Sequence, residues 1–436
     1  MGAQDAGPAR GWKGRALKNS RLLVLDDESM VCDFIDQVAT GDGFDVVTTL
    51  EPNEFASSYR SHEPDVIILD LKISGHDGIE QLRFLATNEC QASILLISGM
   101  DGRVLNTARR LGATQGLRMT KTLPKPFGPN ELRSALDDAR GLTLSGSGRN
   151  GSSRNSLAKM KVYGTPRKSS PPSQPVSEDE LRRAIEQQEL VLHYQPKVDL
   201  RCGRVLGAEA LVRWRHHRRG LIMPDAFIPL AEETGLIKSL TRFVTKRALE
   251  QCAAWTAEGM QLSVAVNISA PNLSDLTFAD EMAELVSGCG LAGHQLILEV
   301  TESEAMSDPV RTMDVLSRLR LNGIALAIDD FGTGFSSLAE LRNMPFSEIK
   351  IDKSFVIDSM VDKEARVFVR SIIELGRDLG LTVVAEGVEN EEIWRLLVSL
   401  GCDVAQGYYI ARPMDAEEWT NWIKDWKSRN LVSSTG

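Results

Sequence analysis

Twice in this chain an apolar run ends on two adjacent carboxylates. "RLLVLDDES" carries Asp26 and Asp27, and "ALAIDDFGTGFSSL" carries Asp329 and Asp330 ahead of a glycine-rich loop. Unpaired carboxylates are costly to bury, so each pair needs a counter-charge. Around the first pair stand Asp70 in "VIILDL", Ser98 at the end of "SILLIS" and Lys125 in "LPKPF". Three carboxylates brought together would repel one another unless a hard cation such as Mg²⁺ neutralised them. Asp70 could then accept a phosphoryl group, with Ser98 and Lys125 stabilising its new oxygens.

The second pair has a different company. Glu209 lies in "AEALVRW", Asn267 in "VNIS", Glu299 and Glu302 in "LEVTES", and Lys350 and Asp352 in "IKID". Glu386 lies in "AEGVE" and Gln406 in "AQGYY". Carboxylates with one amide suit Mg²⁺ or Mn²⁺ rather than Zn²⁺, and the six histidines lack metal-ligand spacing. Two such ions can generate hydroxide, orient a phosphodiester and stabilise the leaving oxygen. Lys350 would hold the attacking water or compensate charge, and Glu386 could act as general base. Arg213, four residues after Glu209, can present its fork to a phosphate. Adjacent strand residues point to opposite faces, so Asp329 and Asp330 can share a metal cluster only if the strand ends there, as "FGTG" suggests.

These groups need a scaffold that gathers strand ends. Residues 21–140 alternate the short runs "RLLVL", "FDVVTTL", "DVIILDL", "SILLIS" and "KTLP" with helical stretches. That rhythm predicts a flavodoxin-like, doubly wound parallel sheet, whose ligands lie outside the carboxyl ends of its strands. Residues 141–176 hold six Lys or Arg and no Asp or Glu among many Ser, Gly and Pro, a flexible basic linker. From 177 to 436, eight candidate strands from "LVLHYQP" to "AQGYYIA" have the spacing of a β/α (TIM-like) barrel, with an open doubly wound sheet as the alternative. Asp308, Pro309 and Gly323 mark out one of its helices, just before "IALAIDD".

Composition narrows the classes. At 42% hydrophobic and 25% charged the chain reads as globular, and its net charge of −10 disfavours broad nucleic-acid binding. Six scattered cysteines without CxxC spacing fit reduced thiols. Residues 1–20 read as a disordered tail with no signal peptide, and no apolar run approaches a membrane span. A cytoplasmic protein is expected.

Five fitting residue types at five strand ends make the segment 21–140 resemble the receiver domain of bacterial response regulators. The resemblance implies phosphorylation of Asp70, one Mg²⁺ held by Asp26 and Asp27, phosphate contacts from Ser98 and Lys125, and a sensor histidine kinase as phosphodonor. Two positions depart from that pattern. Thr122 stands where an aromatic switch residue is usual, and Ser74 where proline is usual.

The segment 177–436 resembles the EAL family of cyclic-di-GMP phosphodiesterases. Glu209-Ala210-Leu211 is worth little alone, but "NIS", "EVTES", "DDFGTGFSSL", "KID", "AEGVE" and "QGYYIARP" follow it in order. The resemblance implies hydrolysis of cyclic-di-GMP to linear pGpG, regulated by the receiver. It also implies two metals held by Glu209, Asn267, Glu299, Asp329 and Asp330, with Lys350 positioning water and Glu386 as base or second-metal ligand. Glu302 would brace the glycine-rich loop, while Gln195, Arg213, Asp352, Glu389, Gln406 and Tyr408 would contact substrate. Coupling between the two segments would need direct contact or dimerisation, so a homo-oligomer is expected. The rivals are a cyclic-di-GMP sensor without turnover and an adaptor in which neither site is active. No "GGDEF" or "GGEEF" segment supports a cyclase. Any one of these acids alone could be a salt-bridged strand end or a helix cap; the ordered set is what points to chemistry.

Overall fold

A computed structural model describes residues 20–73, 76–99, 102–144, 176–333 and 341–433, which fall into two compact units. The expected tail apart from Ser20, which begins a strand, and nearly all of the expected linker lie outside these residues, as do Ser74 and residues 334–340 of the glycine-rich loop.

In the first unit, β1 (Ser20–Leu25), β2 (Phe44–Thr49), β3 (Val66–Asp70), β6 (Ser93–Ser98) and β7 (Arg118–Pro124) form a parallel sheet in the order β2-β1-β3-β6-β7. Two short strands, β4 (Lys72–Ile73) and β5 (His76–Asp77), pair antiparallel beside it. This is the expected doubly wound order, which brings the ends of β1, β3, β6 and β7 to one edge. β3 and β6 are buried along their whole lengths, as a strand covered on both faces must be. Leu22, Val24, Ile68, Leu95 and Ile97 pack with residues of the helices Ser29–Gly41 and Pro129–Leu144 into one core. The second of these helices continues through residues 141–144, into the stretch read as linker.

The second unit is a closed barrel. Its strands are β8 (Leu190–Asp199), β9 (Val205–His216), β11 (Ser263–Asn267), β12 (Leu296–Thr301), β13 (Ala325–Phe331), β14 (Glu348–Ile351), β15 (Thr382–Ala385) and β16 (Val404–Ala405). β16 pairs with β8, and β8 with β9, to complete the cylinder; β10 (Gly220–Ile222) extends β9 outward as a hairpin. Asp308 caps the helix Pro309–Leu321 as expected, its carboxylate accepting the Arg311 N–H at 3.3 Å.

Three features differ from a regular parallel barrel. β8 runs antiparallel to both neighbours. Only residues 200–204 separate it from β9, and a parallel crossover needs a dozen residues or more. The expected strand "AQGYYIA" shrinks to Val404–Ala405, after which the backbone turns. Gly407 permits that turn, because a Cβ there would lie 2.2 Å from the Val388 carbonyl oxygen. Finally, β13 does not end at Asp330. It runs on to Phe331, its register against β14 slips between Ile328 and Phe331, and Asp330 takes a left-handed φ of 51°.

Side-chain alternation then builds the interior. Leu296, Leu298, Val300, Leu326, Ile328, Ile349 and Ile351 face the surrounding helices in the main core. On the opposite parity, Ala265, Ile297 and Ala327 form a small separate cluster inside the barrel. The next inward positions along these strands are Asn267, Glu299 and Asp329. A small apolar plug therefore supports a layer of polar side chains.

Candidate active site

Lys350 is the hub of that layer. Its side chain is fully buried on β14, and its Nζ lies 2.7 Å from Glu299 Oε2, 3.0 Å from Asp329 Oδ2, 2.7 Å from Glu386 Oε1 and 3.7 Å from Glu209 Oε2. Burial works against its charge, but these carboxylates outweigh burial and hold its pKa well above the usual lysine value. The counter-charge that the second acid pair required is thus an internal lysine.

Glu209 is fixed from the other side. Asn267 Nδ2 donates to its Oε1 at 2.8 Å and Gln406 Nε2 to its Oε2 at 2.6 Å. Gln406 also donates to Gln195 Oε1 at 3.1 Å, and Gln195 stands opposite Glu209 in the β8–β9 register. Burial disfavours the Glu209 carboxylate, yet Lys350, Gln406 and Asn267 together keep its pKa below the usual range. Glu299 behaves differently: complete burial pushes it up to about 8, against the pull of Lys350.

Asp329, Asp330 and Glu386 each offer a carboxylate oxygen within 4.8 Å of one another. The bulge makes this possible, because the left-handed residue breaks the alternation that would send the two aspartates to opposite faces. Burial, then the Asp329 charge and then Asp352 raise Asp330 to about 6. Three crowded carboxylate oxygens fit a hard divalent cation. Glu302 lies outside this trio. It starts the short helix Glu302–Ala305, and its Oε2 accepts the N–H of Gly332 at 2.9 Å, at the root of the glycine-rich loop.

The expected substrate contacts are more scattered. Arg213 is buried, its Nη1 donates to the Val212 carbonyl at 2.8 Å, and burial lowers its pKa despite the nearby Glu209 carboxylate. Tyr408 is 52% exposed with the Arg412 guanidinium 4.4 Å from its ring centroid. Asp352 caps the helix Lys353–Asp358 through the Ser354 N–H at 3.0 Å, and Glu389 is exposed.

Two buried groups escaped the sequence reading. Lys197 Nζ contacts Glu348 Oε1 and lies 3.3 Å from Glu299 Oε1. Each stands two positions from a recognised residue, Gln195 and Lys350, so strand alternation alone would have placed both inside the barrel.

The edge of the first unit holds a similar arrangement. Lys125 Nζ lies 2.8 Å from Asp26 Oδ2, 2.8 Å from Asp70 Oδ2 and 2.9 Å from Glu28 Oε1. Burial raises the pKa of both aspartates, although Lys125 opposes the rise. Asp26, Asp27 and Asp70 can each place an oxygen within 4.8 Å of the others, and Ser98 is buried at the end of β6. Thr122 is half-buried on β7, opposite Leu96.

Known proteins divide along the same lines. The EAL domain family matches residues 178–413, more than half of the chain, and the response regulator receiver domain family matches residues 22–137. In Pseudomonas aeruginosa, the bifunctional diguanylate cyclase/cyclic di-GMP phosphodiesterase MucR is 43% identical over 240 residues, 55% of this chain and 35% of MucR. The cyclic di-GMP phosphodiesterase PA2567 of the same organism is 41% identical over 233 residues, 53% of this chain and 40% of PA2567. The chain therefore spans well under half the length of these relatives. A solved structure of the PaMucR phosphodiesterase in a c-di-GMP complex is similar with a TM-score of 0.54 and 43% identity, covering 55% of this chain and 98% of that one. Among the described residues, no helix is long and apolar enough to cross a membrane. On its sequence, its closed barrel and its doubly wound sheet, the chain belongs to the EAL domain family and carries a response regulator receiver domain ahead of the EAL domain.

Proposed function

We propose that the barrel hydrolyses cyclic-di-GMP to linear pGpG with Mg²⁺ or Mn²⁺, under control of the receiver. The observation that carries the reaction type is the buried lysine shared by Glu299, Asp329 and Glu386, beside an acid trio able to converge on a cation. The substrate follows from the likeness to MucR and PA2567. Glu209, Asn267, Glu299, Asp329 and Asp330 are the proposed metal ligands, and two divalent cations there would polarise the attacking water and the phosphodiester. Lys350 orients that water and balances the acids, Glu386 takes its proton or ligates the second metal, and Glu302 holds the loop through Gly332. Arg213, within electrostatic reach of Glu209 and Tyr408, binds phosphate. Gln195, Asp352, Glu389, Gln406 and Tyr408 complete the substrate contacts.

Full-length protein with Mg²⁺ or Mn²⁺ should convert cyclic-di-GMP to pGpG, followed by chromatography. Chelation with EDTA should stop turnover and added metal should restore it. Tight nucleotide binding without product would instead assign the barrel to sensing.

In the receiver, Asp70 is the proposed phosphoacceptor, with Mg²⁺ on Asp26 and Asp27, and Ser98 and Lys125 on the phosphoryl oxygens. A sensor histidine kinase is the proposed donor. Thr122 offers no aromatic ring to rotate, so self-association is the proposed readout. Acetyl phosphate should change the hydrolysis rate of the wild type and leave Asp70→Ala unaffected. Equal responses in both proteins would reject receiver control.

A further inference from the structure

We propose that Lys197, locked by Glu348, is a positioning residue that sets the orientation of Glu299 for metal binding. This rests on the metal-dependent reading above and goes one layer deeper into the barrel.

The two oxygens of Glu299 are held by different ammonium groups. Lys350 Nζ is 2.7 Å from Oε2, and Lys197 Nζ is 3.3 Å from Oε1. Lys197 is 3% exposed and Glu348 8% exposed, so neither can exchange its partner for water. Lys197 reaches inward from the reversed strand β8, where its partner across the hairpin is Gly207. Glu348 receives the same ammonium from β14, opposite Ala327.

These contacts divide the work on Glu299. A cation ligated by this carboxylate would compete with Lys350 for Oε2, on the side where Asp329 and Glu386 also meet Lys350. Lys197 would keep Oε1, so the carboxylate plane would stay fixed while its other oxygen changed partners. Glu348 keeps the amine from swinging after it. Ligand-orienting partners of this kind typically contribute about 10- to 100-fold to metal affinity or activity.

The test is calorimetric titration of the full-length protein with Mn²⁺ alone, in an Asp27→Ala background that removes the receiver's proposed cation site. Lys197→Met should weaken Mn²⁺ binding by about 10- to 100-fold, and Glu348→Gln should shift it in the same direction. At saturating Mn²⁺, Lys197→Met should lower kcat while KM for cyclic-di-GMP stays within about twofold, because no substrate contact is touched. The single variant leaves Glu348 buried without its cation and can fail to fold. The double variant Lys197→Met/Glu348→Met removes both charges, should fold, and should show the same weakened Mn²⁺ binding. Wild-type Mn²⁺ affinity in either folded variant would overturn the inference. An Asp27→Ala protein with an otherwise intact barrel that binds no Mn²⁺ would overturn the metal-dependent reading along with it, so the two failures are distinct.

Discussion

Lys350→Met is expected to destabilise the metal-free barrel by about 3–5 kcal/mol and to abolish measurable turnover. Methionine keeps most of the volume but removes the charge. Glu299, Asp329 and Glu386, each within 3.0 Å of the ammonium, would then share a buried space without it. Lys197 still touches Glu299, but it is not among the groups that hold Asp329 or Glu386. Urea unfolding followed by circular dichroism measures the loss. Mn²⁺ should recover part of it, since a cation bound only by the folded acids stabilises them by mass action. An unchanged unfolding midpoint would mean that the acids are neutralised by protons rather than by Lys350.

Glu386→Gln is expected to lower kcat by about 10²–10⁴-fold while cyclic-di-GMP binding and stability stay near wild type. Burial raises this carboxyl to about 7 even though Lys350 pulls the other way, which gives a proton acceptor suited to neutral pH. Glutamine retains an oxygen for the Lys350 ammonium, and with the metal held saturating to offset its weaker ligation, the main change should be the lost capacity to take a proton. Steady-state kinetics with a separate binding titration would show the split. A decrease of less than about tenfold in kcat would place the base elsewhere.

Much of this architecture was readable because strand ends carry the chemistry. Asp70, Ser98 and Lys125 each fall at or just past a strand terminus, and the doubly wound order is determined by short apolar runs separated by helices. Asn267, Lys350 and Glu386 lie at or next to strand ends in the same way and Glu299 and Asp329 two residues short of them, whereas Glu209 joins them from the middle of β9. What sequence left unread was local backbone geometry. The five residues between Asp199 and Val205 forbid a parallel crossover, a constraint of chain length that the hydrophobic pattern does not express. Sharing of one cluster by Asp329 and Asp330 seemed to require a strand end, whereas a slipped register and one left-handed residue accomplish it inside β13. Gln406 looked like part of a strand because its neighbours are apolar. Its position past the end of β16 follows from the close approach of Gly407 to Val388. Lys197 and Glu348 were missed because the motifs drew attention to Gln195 and Lys350 and the two-residue alternation was not followed inward from them.

The backbone at position 330 also limits which acid can serve there. A positive φ penalises most residues with a Cβ but is tolerated by Asp and Asn, whose short polar side chains bond locally. Glutamate, equal in charge and one methylene longer, adopts that conformation less readily, although Glu63 and Glu89 do so elsewhere in this chain. Conformation therefore filters the chemical alphabet at this place before any ion is considered, and the two adjacent acids are not interchangeable positions: one is chosen for its reach, the other for its bend.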